Sequence, residues 1–184
     1  MDQDWRIMSS NIGVMGHPIS HTKSPVFQQA GLDALGIKET FEIWDVLPEA
    51  LADKVATFRS DGFLAACVTL PHKQDVIPMI DELSDAAQAV GAVNWIFNKN
   101  GKLIGHNTDG TGFIRALKEK VGFDPQGADA TIFGAGGAAR AVAYALKDAG
   151  VRRLTIANRT VERARELASY FTEARFKPEA ISMD

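Results

Sequence analysis

Apolar positions along the chain switch between short unbroken or alternating runs, which suit strands, and the i, i+3, i+4 spacing of helices with one buried face. Residues 12–15 predict a short strand, followed by a Gly/Pro/Ser loop and a helix from Pro25 to about Leu35 that stops at Gly36. Residues 41–46 predict the next strand. Pro48 opens a helix to about Arg59, in which Leu51, Val55 and Phe58 recur at i, i+4 and i+7 and line one buried face. Residues 63–70 predict a buried central strand. Helical segments follow near 73–80 and 84–90, then a hairpin over 92–105 turning on Asn98-Lys99-Asn100-Gly101. A linking helix is predicted over 109–120. Past the Gly- and Pro-bearing loop 121–129 come a strand at 130–133, a helix over 140–149 and a strand at 154–158. Such alternation builds α/β layers on largely parallel sheets, and the linking helix divides the chain into expected domains 1–110 and 111–184.

The strand at 130–133 runs into Gly134-Ala135-Gly136-Gly137-Ala138-Ala139. Glycines at 134 and 136 let the backbone turn sharply and approach a pyrophosphate, whose charge the free N–H groups of the next helix can hold. With the strand at 154–158 the turn completes one βαβ unit of the expected ~30 residues. Where that second strand ends, an NAD site places an acidic residue for the ribose 2′-hydroxyl; this chain has Asn158-Arg159-Thr160. A guanidinium there can pair a 2′-phosphate, so the residues favour NADP, and Arg163, one turn into the following helix, can add a second cation. The competing reading makes Arg159 and Arg163 solvated surface charges and Thr160 a helix N-cap.

Composition leaves this picture intact. At 46% hydrophobic and 23% charged residues with a net charge of −3, the chain has the make-up of a soluble globular protein of one or two domains. Mixed charge gives no basic stripe for nucleic acid, and no apolar run is long enough to span a membrane. Cys67 is the single cysteine and can make no internal disulfide. The N-terminal residues 1–6 carry acids where an export signal carries bases, so the expected location is the cytoplasm.

Three loops of the first region concentrate small polar groups, and each follows a strand, at the sheet edge where α/β proteins bind ligands. In the first, which spans His17 and Pro25, Ser24 stands where an N-cap belongs and Pro25 where the first helical residue belongs. Thr22 and Ser24 hydroxyls beside helix N–H groups suit a carboxylate, and plain capping explains them too. His17 and His21 have i, i+4 spacing, but Pro18 interrupts any helix between them and no third ligand accompanies them, so no metal site is expected. The second loop, Thr69-Leu-Pro-His-Lys73, sets a lysine just after a buried strand, where desolvation favours proton transfer; a snorkelling surface lysine is the alternative. The third is Asn107-Thr-Asp109, preceded by Asn94 in the hairpin. Asp109 can act there or simply cap the next helix. Together these groups make a site for a polyhydroxylated acid.

In these residues the chain resembles the shikimate dehydrogenases, over nearly its whole length from Ile12 to about Ala168. Gly16-x-Pro18 through His21-Thr-Lys-Ser-Pro25 is similar to that family's substrate loop. Val68-Thr-Leu-Pro-His-Lys73 is similar to its catalytic loop, and Gly91-Ala-Val-Asn94 with Asn107-Thr-Asp-Gly110 to its substrate and acid/base segment. The resemblance implies an N-terminal α/β substrate-binding domain followed by the first half of a Rossmann-type NADP-binding domain. It implies Thr22 and Ser24 on a substrate carboxylate, Thr69, Asn94 and Asp109 on ring hydroxyls, and Lys73 with Asp109 as the catalytic pair. The turn Gly134, Ala135, Gly136, Gly137 and Ala138 and the clamp Asn158, Arg159 and Thr160 then hold NADP. The implied reaction interconverts 3-dehydroshikimate and shikimate with no metal.

Some positions depart from the family pattern. Thr22 stands where serine is usual, adding a methyl to the carboxylate pocket, so quinate or aminoshikimate remain alternative substrates. Cys67 and Trp95 replace a usual asparagine and threonine; Cys67 reads as a small core residue, and strand alternation points Trp95 away from Asn94. Family members also continue through further strands and helices that return to the first domain, for which residues 171–184 are too short. The chain thus reads as C-terminally truncated, with an open sheet edge, an uncovered apolar face and a tendency to associate. A binding fragment without turnover is the second expected class.

Overall fold

The structure, a computed structural model, describes residues 11–183; residues 1–10, on which the expectation about an export signal falls, and Asp184 lie outside the described residues. The described chain forms two compact units. One comprises the described residues up to Ala87 together with Val93–His106; the other joins Gln88–Ala92 to the chain from Asn107 onward.

The first unit holds a six-stranded sheet of order β2-β1-β3-β5-β6-β4, with β1 Ile12–Gly16, β2 Phe41–Asp45, β3 Ala65–Val68, β4 Glu82–Leu83, β5 Trp95–Lys99 and β6 Lys102–His106. β1 runs parallel to β2 and β3, and β4 parallel to β6, while β5 is antiparallel to β3 and β6. Strand alternation sends Met15, Trp44, Ala66, Val68, Ile96 and Leu103 into one core, where they meet Leu51, Val55 and Phe58. These last three are the stripe that the sequence predicts, on and just after α2 (Leu51–Thr57). Val14 and Phe41 face the other side, against Ile19 and Leu32 of the loop and α1 (Ser24–Ala34). Cys67 and Trp95 pack half-buried against that second cluster, as core residues.

Three local expectations change. The segment 73–80 is not a helix but a series of turns ending in the 3₁₀ turn Ile77–Met79. A helix would give the Lys73 carbonyl to the N–H of Ile77, but Val93 N–H takes that carbonyl at 2.7 Å and Ile77 N–H donates to Gln74 instead. The hairpin turns on Asn100-Gly101, both with positive φ (55° and 83°), and Asn98 Oδ1 accepts the Gly101 N–H at 2.7 Å. Finally, α1 starts one residue early, with Lys23 as its N-cap, because the Thr22 hydroxyl already takes the Ser24 N–H at 3.2 Å.

The second unit is a three-stranded parallel sheet, β7-β8-β9, with β7 Asp129–Phe133, β8 Arg153–Asn158 and β9 Glu179–Ser182. It carries α4 (Asp109–Ala116), α5 (Gly137–Asp148) and α6 (Val161–Tyr170), and the last residues of α3 (Asp85–Val90), from Gln88 on, belong to it. β9 lies in the stretch beyond Phe171 that the hydrophobic pattern leaves unassigned; its Ala180 packs on the core of Ile132, Leu154, Ile156 and Leu167. Among the described residues β7 pairs only with β8, and Phe133 is 74% exposed. α4 and α5 touch through Gly110, where a Cβ would stand 2.8 Å from the Ala141 carbonyl oxygen.

One buried charge sits apart from the strand ends. Lys54 on α2 is 2% exposed, its Nζ has no hydrogen-bond partner, and it lies 4.2 Å above the Trp44 ring and 5.5 Å from that of Phe58. Burial pulls its pKa from 10.5 down to about 8, with the Glu42 charge opposing the shift. A folded chain that releases this proton first binds fewer protons than the unfolded chain across that interval. Stability therefore rises with pH from about 8 to 10.5 and carries a constant penalty below it. Urea unfolding should find Lys54→Met more stable than the parent at pH 7 by about 1–3 kcal/mol and free of that slope. In Gly110→Ala the obstacle is backbone and cannot turn aside, so the same measurement should register a loss of about 1–3 kcal/mol in the second unit.

Candidate functional site

In the first unit the loops after β1 and β3 open at the carboxyl edge of the sheet, as parallel neighbours must. They enclose a cavity of about 330 Å³ lined by His17, His21, Thr22, Lys23, Thr69 and Leu70 among others. Three nitrogen-bearing side chains, two hydroxyls and no carboxylate make this wall suited to an anion. Thr22 Oγ1 also donates to Ser24 Oγ at 3.2 Å, so the two hydroxyls assigned to a carboxylate stand together, although Ser24 does not line the cavity itself.

Lys73 and Asn94 are joined through the backbone. The Lys73 carbonyl accepts Val93 N–H, and the next residue, Asn94, accepts Val68 N–H at its carbonyl (2.8 Å) and donates its own N–H to His106 O (2.9 Å). Asn94 is buried at 6% exposure, and neither it nor Lys73 lines the cavity. Asp109 opens α4 in the second unit, as its first helical residue with Thr108 as N-cap; its N–H donates to Asn107 Oδ1 at 3.1 Å.

The structure gives two histidines of these loops partners that the sequence does not show. His17 Nδ1 lies 2.7 Å from Asp45 Oδ1, which ties the cavity wall to the end of β2. The buried His72 donates from Nε2 to the Val46 carbonyl at 2.7 Å, since a carbonyl can only accept; this anchors the residue before Lys73. Their spacing carries no mark of either partner, because Asp45 and Val46 lie 28 and 26 residues away from the respective histidines.

In the second unit the glycine turn has the shape predicted for a phosphate cradle. Gly134 has φ +112°, which a side-chain-bearing residue rarely adopts, and its N–H donates to Ala157 O at 2.8 Å. A Cβ at Gly134 or Gly136 would meet nothing within 4 Å, so open space faces the turn. Gly136 caps α5, which begins at Gly137, three residues ahead of the predicted start. Ala135 is half-buried against the core, and Ala138 is exposed in the first turn of the helix. Asn158 ends β8, and Arg159 and Thr160 follow it, at the same edge as the turn, because β7 and β8 are parallel. Asn158 Nδ2 closes their loop on Thr160 O at 2.8 Å, while Arg159 and, two residues into α6, Arg163 are exposed. Open backbone at the turn and guanidinium groups at the end of β8, with no carboxylate at residues 158–160, fit a dinucleotide bearing a 2′-phosphate.

Comparison with known proteins agrees with this geometry. Residues 14–96 match the shikimate dehydrogenase substrate binding domain, and residues 116–183 match shikimate / quinate 5-dehydrogenase. The shikimate dehydrogenase (NADP(+)) of Moorella thermoacetica is 48% identical over 85% of this chain, and that of Methanopyrus kandleri 43% identical over 94%. The chain spans 53% and 60% of the lengths of these two relatives. Among solved structures, shikimate 5-dehydrogenase from Thermus thermophilus in complex with NADP(H) and shikimate is 38% identical. It superposes at a TM-score of 0.80 over 91% of this chain and 61% of its own. No helix among the described residues is long and apolar enough to cross a membrane. By the matches that bracket both its loop cluster and its glycine turn, this chain belongs to the shikimate dehydrogenase family.

Proposed function

We infer that the chain serves NADP-dependent interconversion of 3-dehydroshikimate and shikimate, in the cytoplasm, on the route to aromatic amino acids. The observation that carries this reading is the anion-suited cavity in which Thr22 and Thr69 stand together, in a chain whose relatives are NADP-dependent shikimate dehydrogenases.

In this reading Thr22 and Ser24 hold the substrate carboxylate, and Thr69 and Asn94 its ring hydroxyls. NADPH, when bound, supplies the hydride for the ring ketone. Lys73 gives a proton to the ketone oxygen as negative charge builds there, and recovers it in the reverse direction. Asp109 accepts a hydrogen bond from the hydroxyl so formed and fixes its position. Gly134, Ala135, Gly136, Gly137 and Ala138 let the backbone approach the pyrophosphate, while Asn158, Arg159, Thr160 and Arg163 take the 2′-phosphate. Thr22 brings a methyl group into the carboxylate seat, so quinate is the alternative ring acid.

Turnover of shikimate with NADP should fall by about 10²–10⁴-fold in Lys73→Ala, with shikimate affinity kept within about threefold. Undiminished turnover in that variant would remove Lys73 from the reaction, and a parent chain that binds shikimate without turnover would make it a binding fragment. In Arg159→Ala the preference for NADP over NAD should drop by about tenfold or more, the scale of one charge-assisted contact. An unchanged preference would overturn the clamp.

A further inference from the structure

Asn107 is buried at 6% exposure, and the reaction described above gives it no part. Its carboxamide is engaged at both ends. Nδ2 donates to the Ala92 carbonyl at 2.9 Å, and Oδ1 accepts the Asp109 N–H at 3.1 Å. One partner can only accept and the other only donate, so a single orientation of the amide satisfies both. A buried carboxamide that lost either bond would leave a polar group stranded, which makes this orientation strongly preferred.

Ala92 ends a five-residue stretch whose alternate carbonyls are all held by side chains. Tyr170 Oη donates to Gln88 O at 3.1 Å, Arg140 Nε to Val90 O at 3.2 Å, and Asn107 to Ala92 O. Arg140 also lies over the Tyr170 ring, 4.3 Å from its centroid. Gly91 takes a φ of +67°, which favours glycine, and lies under these two side chains: a Cβ there would stand 2.9 Å from Tyr170 Oη and 3.0 Å from an Arg140 nitrogen. The stretch is therefore a fixed rail.

On the other side, Asp109 is the first residue of an eight-residue helix, and its N–H is one of the donors that a helix leaves unpaired. Asn107 supplies the acceptor through an Asx turn. We propose that Asn107 is a positioning residue, which sets the carboxylate of Asp109 by holding its backbone to the Gln88–Ala92 rail. It rests on the dehydrogenase reading only for what Asp109 does.

A double-mutant cycle on the full chain tests this, with shikimate affinity measured by calorimetry. Asn107→Ala and Asp109→Asn should each weaken binding by about tenfold, and Asn107→Ala should add less than about twofold on top of Asp109→Asn, as for residues acting through one contact. Asn107→Ser, whose hydroxyl can still form the weaker version of the turn, should recover part of the loss. Multiplying effects in the double variant, or no effect of Asn107→Ala, would overturn the proposal.

Amide hydrogen exchange without ligand gives an independent reading. Asn107→Ala should speed exchange at Asp109 by about tenfold or more and leave β7 and β8 at parent rates, as expected of a local opening. Uniform acceleration across the second unit, or an unchanged Asp109 rate, counts against positioning. If the parent chain binds no shikimate, the functional reading fails, and the exchange result still decides for or against Asn107. Should Asn107→Ala not fold, Asn107→Ser carries both measurements, with a smaller expected effect on affinity and exchange.

Discussion

Hydrogen bonding between β1, β2 and β3 continues past their last residues, and the loops of the first unit depend on it. Thr69 N–H donates to Met15 O at 2.9 Å, His17 N–H to Leu70 O at 2.9 Å, and Val46 N–H to Gly16 O at 3.0 Å. Three loops thereby leave the sheet at one level. The lacing requires glycine at 16, where a Cβ would fall 2.6 Å from Thr69 Cγ2 and 2.7 Å from the Leu70 carbonyl oxygen. With that approach in place, Thr22 and Thr69 line one cavity, and the tip of β2 can hold both His17 and His72.

Buried polar side chains mark where backbone has to be held. His72 fixes the residue before Lys73 to the end of β2, and Asn107 ties Asp109 to Ala92. Each acts on a carbonyl or N–H that regular structure leaves unpaired; both ends of the Asn107 carboxamide are bonded, while His72 is held through Nε2 with its buried Nδ1 left without a partner. Lys54 is the contrast. Its ammonium is buried with ring faces as its near neighbours and no hydrogen bond, and neither the cavity nor the glycine turn uses it.

The second unit follows the same logic with a different loop. A parallel β7–β8 pair sets the glycine turn and the Asn158-Arg159-Thr160 segment on one edge, and α5 aims its first N–H groups there. Phosphate chemistry then needs open backbone at one strand end and cations at the next, and both are present within a single βαβ unit.

Local chemistry was legible from the sequence by itself. Strand and helix periodicity placed β1, β2, β7, β8 and the buried stripe Leu51, Val55 and Phe58. Glycine at 134 announced a positive φ, because this is a property of a single residue and its neighbours in the chain. Long-range partnership decided the rest. Residues 73–80 avoid a helix because Val93, far along the chain, takes the Lys73 carbonyl, and β9 forms because Ala180 finds a core to cover. The bonds of His17 to Asp45 and of Asn107 to Ala92 span 28 and 15 residues. Only packing brings such groups within 3 Å, and no spacing rule encodes them.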